Sequence, residues 1–391
     1  MLATTVRVTR DLDVAEECVQ EAFAAALTDW ATGGVPARPG AWLTTAARRR
    51  ALNVLRHSGV ERRYLPLLVE DEVAPAVVDD AHGYPDDRLR LVATCCHPAL
   101  DRPAQVALTL RLVCGLTTPE VARAFLVPTA TMAARITRAK KKIAVARIPY
   151  RVPPAAELPG RVDAVLAVVH LLFTTGHTAP AGEELVRRDL VERSVELARM
   201  LRRLLPRDPA VAGLLALLLL TDARRETRTG EDGRLLLLEE QDRTRWDRPA
   251  IDEGVALVRE ALRARPPSRY ALQAAIAAVH AESPSWDDTD WAEIVALYGV
   301  LTRLWPSPVV ALNRAVAVGF ARGAAAGLAA LDELAAEPQL AGYGYLPAAR
   351  ADLLRRLGRV GEAREAYTEA LLLTENAAER AFLDARLRAL G

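Results

Sequence analysis

Lysine is almost absent from this chain: three residues, all at 140–142, stand against 48 arginines. Only six Ile beside abundant Ala point to a coding bias, so a lone Arg carries little information and three consecutive Lys carry more. Cysteine is scarce too. Cys18, Cys95, Cys96 and Cys114 are too few and too irregularly spaced for a disulfide scaffold. Cys95-Cys96-His97 is the one run that suggests a metal. Adjacent helical side chains diverge by about 100°, however, and no CxxC or HxxxH spacing is present. Buried thiols are expected, with no metal and no cofactor. Long apolar runs are missing as well. The longest, Ala210–Leu220, is too short to span a bilayer, and the first residues lack the apolar core of a signal peptide. No membrane partner and a cytoplasmic location are expected. Nor is an enzyme: GxxxxGK[ST], HExxH and GxSxG patterns are absent, and the six His are scattered.

What is present is a hidden charge pattern. The 391 residues carry a formal charge of only +1, which read evenly would argue against a nucleic-acid partner. The charge is not even. Residues 1–156 hold 21 basic and 16 acidic groups, and the remainder is correspondingly acidic. Residues 38–63 hold seven Arg against Glu61 alone. Residues 64–87 hold seven carboxylates and no cation, and residues 121–156 hold eight cations and no acid. Basic, acidic, basic is the order to be explained.

Periodicity is helical nearly everywhere, with no strand alternation, so an all-α fold is expected. Breaks fall at Gly33-Gly34-Val35-Pro36, in the acidic segment, and at Pro149–Pro159, which reads as an interdomain linker. The expected division is a helical domain over 1–63, an acidic linker over 64–90 and a second helical domain over 91–148. A Pro-rich linker over 149–160 follows, then ten to twelve helices over 161–391. Near the end, Gly358, Ala363, Tyr367 and Ala370 take the turn, packing, aromatic and small positions of a tetratricopeptide-type helix pair. Gly323 lies 35 residues earlier, close to one repeat. An irregular helical bundle is the alternative.

Two basic segments carry the functional signal. In TTPEVARAFLVPTATMAARITRAKKKI (117–143), Thr117 or Thr118 caps a short helix with Glu120 placed for a capping box. Pro128-Thr129 breaks the chain, and a second helix follows. On it Met132, Ile136, Ala139 and Ile143 form a core stripe. Thr131, Arg135, Arg138 and Lys142 repeat the spacing one residue back. This is the pattern of a helix-turn-helix with a basic face; a solvated basic helix is the bland reading. In AWLTTAARRRALNVLRH (41–57), Trp42, Ala46, Leu52 and Leu55 can face inward, leaving Arg48, Arg49, Arg50, Asn53 and Arg56 outward. Arg49 could instead close an internal salt bridge. Before it, DVAEECVQEAFAAALTDW (13–30) sets Glu16/Gln20 and Glu17/Glu21 opposite Cys18, Ala22 and Ala25.

DVAEECVQEAFAAAL followed by PGAWLTTAARRRALNVLRH resembles region 2 of extracytoplasmic-function (ECF) RNA polymerase sigma factors. Residues 99–143 resemble region 4, in the expected order. TCCHPALDRPAQVALTLRLV, LLEEQDRTRWD and ALQAAIAAVHAESPSWDDTDW resemble a subgroup with a tetratricopeptide-like C-terminal extension. Only MLATTVRVTRDL precedes the first motif, so region 2 is expected to be N-terminally short. The resemblance implies two partners, core RNA polymerase and promoter DNA. It implies polymerase docking through Asp13, Glu16, Glu17, Gln20 and Glu21. It implies −10 contacts from Arg48, Arg49, Arg50, Asn53 and Arg56. The −35 contacts would come from Thr118, Thr129, Thr131, Arg135 and Arg138, with Lys140, Lys141 and Lys142 on phosphates. The acidic segment would occupy the cationic RNA-exit channel, or act as a solvated spacer. The helical repeat would modulate the sigma domains, directly or through a protein regulator. The rival class is a DNA-binding transcriptional regulator with a tetratricopeptide-like sensor. A polar group at 222–246 (Asp222, Arg224, Arg225, Glu239, Gln241, Asp242, Arg243, Trp246) reads as structural ion pairing or as a ligand site.

Overall fold

A computed structural model describes residues 1–57, 85–125, 127–151, 159–179, 181–183, 185–231 and 233–391. The greater part of the acidic segment, the middle of the Pro-rich linker and Leu126 lie outside the described residues. Among these residues the chain is all-α, with eighteen α-helices and one two-residue strand pairing, Ala181–Gly182 beside Glu375–Asn376. It divides into two compact units, Met1–Val168 and Val169–Gly391.

The first unit opens with α1 (Leu2–Thr9), α2 (Leu12–Gly33) and α3 (Pro39–His57). Asp11 starts α2 by accepting from the amides of Asp13 (2.8 Å) and Val14 (3.0 Å), satisfying donors the helix cannot. Small residues line the α2–α3 contact: Cys18, Ala22 and Ala26 face Ala47 and Ala51, all buried. Ala25, expected inward, is exposed, and Ala26 takes its place because packing follows the i, i+4 row from Cys18. Trp42, Ala46, Leu52 and Leu55 are half-buried around that seam. Trp30 and Trp42 meet edge to face at 5.5 Å.

Four helices follow: α4 (Pro85–Cys95), α5 (Arg102–Leu112), α6 (Thr118–Ala124) and α7 (Thr129–Val145). Leu91, Leu108, Leu110, Leu116 and Met132 fill their core. All four cysteines are free and buried. Burial pushes the Cys96 thiol up to about 11, and its Sγ lies 3.6 Å from Thr109 Oγ1. His97 Nδ1 accepts from the Ala99 amide (3.1 Å), a turn contact.

α8 (Pro159–His177) begins in the first unit, where Arg161 Nη1 donates to the Ala93 carbonyl (3.0 Å). In the second unit α9 (Arg188–Leu204) and α10 (Pro209–Asp222) come next. α10 contains the longest apolar run. Val211 through Leu220 are all buried, so the helix is apolar on every side because it is a core helix. α9, α11 (Arg248–Ala261) and α12 (Arg269–Glu282) pack around it.

The chain of helices continues through α13 (Trp291–Leu304), α14 (Pro308–Arg322), α15 (Ala324–Asp332), α16 (Tyr345–Arg356), α17 (Val360–Leu373) and α18 (Ala377–Arg388). Each contacts the next in sequence. Gly323 and Gly358 take positive φ (92° and 73°) in the turns before α15 and α17, where a side chain would be strained. Ala363, Tyr367 and Ala370 face the core.

α14 and α15 touch through bare backbone. A Cβ on Gly327 would sit 2.6 Å from Gly319 Cα and 3.1 Å from the Ala315 carbonyl oxygen. Backbone cannot yield as a side chain can. Gly327→Ala should therefore lower stability by about 1–3 kcal/mol, read as a lower urea midpoint. An unchanged midpoint would mean that this contact is absent.

Candidate nucleic-acid interface

The helix-turn-helix is built from local signals. Thr117 is the cap of α6: its Oγ1 accepts from the Glu120 amide (3.4 Å), while Glu120 Oε2 accepts from the Thr117 amide (2.7 Å). Thr118 is the first helical residue, half-buried. Gly115, at φ 77°, turns the chain so that Leu116 is buried ahead of the cap.

α7 then separates two faces. Met132, Ile136, Ala139 and Ile143 are buried, against α5 and α6. Thr129, Thr131, Arg138, Lys141 and Lys142 are exposed, and Arg135 is half-buried with its guanidinium 5.7 Å from the Phe125 ring centroid. Arg138 Nε donates to the Ala134 carbonyl (3.2 Å) on its own helix. The side chains left outward are cations and hydroxyls, suited to phosphates and base edges.

On α3, Arg48, Arg49, Arg50, Asn53 and Arg56 are all exposed. Arg50 pairs with Glu21 of α2, which holds the Glu21 carboxyl below the usual range. The internal salt bridge of this triplet is thus made by Arg50. Arg56 Nη1 reaches Asn53 Oδ1 at 3.3 Å, joining two of the outward side chains.

The acidic face of α2 is present in part as free surface. Asp13, Glu17 and Gln20 are exposed, and Glu16 and Glu21 are half-buried. Sequence reasoning missed two neighbours. Phe23 and Leu27, three and seven residues after Gln20, are 44% and 79% exposed. They prolong the Glu16–Gln20 line into an apolar strip. Their signal was available: two large apolar residues off the Cys18–Ala22–Ala26 seam.

One ion-pair cluster ties α2 to α7 across the first unit. Lys140 Nζ lies 2.8 Å from Asp13 Oδ1 and also pairs with Glu16, whose other oxygen is 3.4 Å from Arg111. Lys140 is half-buried. Burial alone would lower its pKa, and the two carboxylates more than reverse this, raising it. Tyr150 closes the same unit from inside: its buried hydroxyl is shared between the carbonyls of Ala3 (2.7 Å) and Asp87 (3.1 Å). Arg10 Nη1 donates to the Tyr150 carbonyl at 3.3 Å.

An acidic-faced helix pair and a helix-turn-helix with a basic face thus share the first unit. Residues 2–60 match Sigma-70 region 2, residues 90–143 match Sigma-70 region 4, and residues 161–262 match a family of unknown function (DUF6596). The chain is 44% identical over 393 aligned positions to an uncharacterized protein of Rhizobium meliloti (strain 1021), covering 99% of this chain and 92% of that protein. The chain belongs to the sigma-70 family. It is a sigma factor, a transcription-initiation protein whose partners are core RNA polymerase and promoter DNA. Among the described residues no helix is long and apolar enough to cross a membrane.

Proposed function

We propose that α3 holds the −10 element and α7 the −35 element, while the acidic and apolar strip of α2 docks on a basic helical surface of core polymerase in the cytoplasm. The separation of faces on α7 supports this most strongly. One row is buried, and the row beside it offers Thr131, Arg135, Arg138 and Lys142. Arg138 and Thr131 would reach base edges, and Thr118, Thr129, Lys141 and Lys142 would bind phosphates. Arg48, Arg49 and Arg56 would hold the −10 backbone, with Asn53 against an unstacked base. Asp13, Glu16, Glu17, Gln20 and Glu21 would steer the encounter with polymerase, and Phe23 and Leu27 would add apolar contact.

Lys140 then has two roles that exclude each other. Held by Asp13 and Glu16, it neither neutralises a phosphate nor leaves those carboxylates to polymerase. Binding of polymerase at α2 would release Lys140 for DNA, and the reverse, so the two partners would assist each other.

The second unit, read as a tetratricopeptide-like extension of an ECF-type sigma factor, would modulate the first and take a protein regulator. Run-off transcription with sigma-free core polymerase tests the main reading. Promoter-specific transcripts should appear only when this protein is added. Tight promoter binding without polymerase, and no transcripts with it, would instead mark a DNA-binding regulator with a sensor domain.

A further inference from the structure

A cavity of about 490 Å³ lies in the second unit between the end of α10, the loop through Trp246, and helices α12, α13 and α14. That is the size of a site for one small molecule. Its walls are aromatic and aliphatic, with Trp246, Tyr298, Trp305 and Tyr343 among them, and among the described residues that line it none is Asp or Glu.

Among the described residues one permanent cation lines it, Arg224. Most of the polar group around 222–246 is committed elsewhere. Arg225 Nε binds Asp222 (2.7 Å), and Arg243 Nη1 donates to the carbonyls of His280 (2.7 Å) and Ser283 (2.6 Å). Arg228 donates to the His177 carbonyl and to Thr178 Oγ1. Trp246 Nε1 donates to Thr227 Oγ1 (2.9 Å). The Arg224 guanidinium has no hydrogen-bond or ion-pair partner among the described residues. Burial and then Arg243 bring its pKa down to about 10, so it stays charged at neutral pH. Two further lining groups are unmet: Gln273 Nε2 and His280 Nδ1 are buried without a partner, two turns apart on α12. His170 and His280 are held at about 4, first by burial and then by nearby arginines, and are neutral.

A guanidinium placed in a mostly apolar wall without a counter-charge is costly, and so is each buried donor left unmade. An anion in the cavity resolves the first of these. We propose that this cavity binds a small monocarboxylate with an apolar or aromatic body, its carboxylate gripped by Arg224. The planar fork of Arg matches a carboxylate's two oxygens. A phosphate monoester would bring nearly two negative charges to one cation, which the wall does not balance. The site stands independently of the sigma reading.

The test uses the full-length protein and the fluorescence of Trp246 and Trp305. It is titrated with 3-phenylpropionate and octanoate, and with their primary amides, at constant ionic strength. Saturable binding of an acid is expected, with the matching amide about tenfold weaker or worse. Arg224→Met should erase the preference for the acid while circular dichroism is unchanged. Arg224→Lys, which keeps the charge and loses the planar fork, supplies the same reading should Arg224→Met fail to fold, through a smaller loss of acid affinity. The proposal is overturned if neither acid binds saturably, if the amides bind as well, or if the folded variants keep full acid preference.

Discussion

Reversing the charge at Lys140 should open the first unit. Lys140→Glu puts a third carboxylate beside Asp13 and Glu16, where a half-buried ammonium now stands. Side chains of Lys140 and Glu16 are only 14% and 19% exposed, so the pair is better shielded than a surface bridge, while Asp13 is 74% exposed and adds little. The loss should be about 2 kcal/mol, or roughly thirtyfold in the balance between docked and undocked forms. Dyes on cysteines introduced at the exposed positions Thr32 and Ala146 report the distance, since the native thiols are all buried. The mean distance should lengthen in Lys140→Glu and recover in part when Asp13→Lys is added. Salt should lengthen it in the unaltered protein too. Core polymerase should bind the opened variant more tightly, because it no longer displaces Lys140. An unchanged distance would mean that the ion pair holds nothing together.

The second large effect separates reading from clamping on α7. Arg138→Ala should weaken transcription by about 5- to 150-fold at the preferred −35 sequence and much less at altered ones, matching the 1–3 kcal/mol of one base contact. Lys142→Ala should weaken all sequences alike and lower the salt slope by about one. Run-off transcription across single-base −35 variants distinguishes the two. Equal losses at every sequence for both variants would make Arg138 a phosphate clamp.

Much of this was legible in the chain because it is local. The stripe Met132–Ile136–Ala139–Ile143 and the Thr117–Glu120 box depend on spacings of a few residues, and helix period alone decides them. Ala25 was misplaced because i+3 and i+4 rows both fit a helical face, and only the partner helix chooses between them. The salt bridge of the Arg triplet falls at Arg50 for the same reason: Glu21 lies 29 residues away, and its direction is set by how α2 crosses α3. The partners of Lys140 were out of reach. Asp13 is 127 residues distant, and nothing in the pattern of charges says which cation meets which acid. Arg224 was hidden by numbers, one Arg among many in a polar run. What distinguishes it is that Arg225 and Arg228 beside it find partners and its own guanidinium does not, which is a property of packing alone.

A sigma factor that holds an unstacked base of the −10 element should leave that DNA open once core polymerase has bound. Permanganate reactivity of thymines across the −10 element should be read on a promoter with core polymerase and this protein, together and separately. Reactive thymines should appear only when both are present, and should vanish with Arg48, Arg49 and Arg56 all changed to Ala. Unreactive thymines in a complex that still holds both proteins on the promoter would contradict the account.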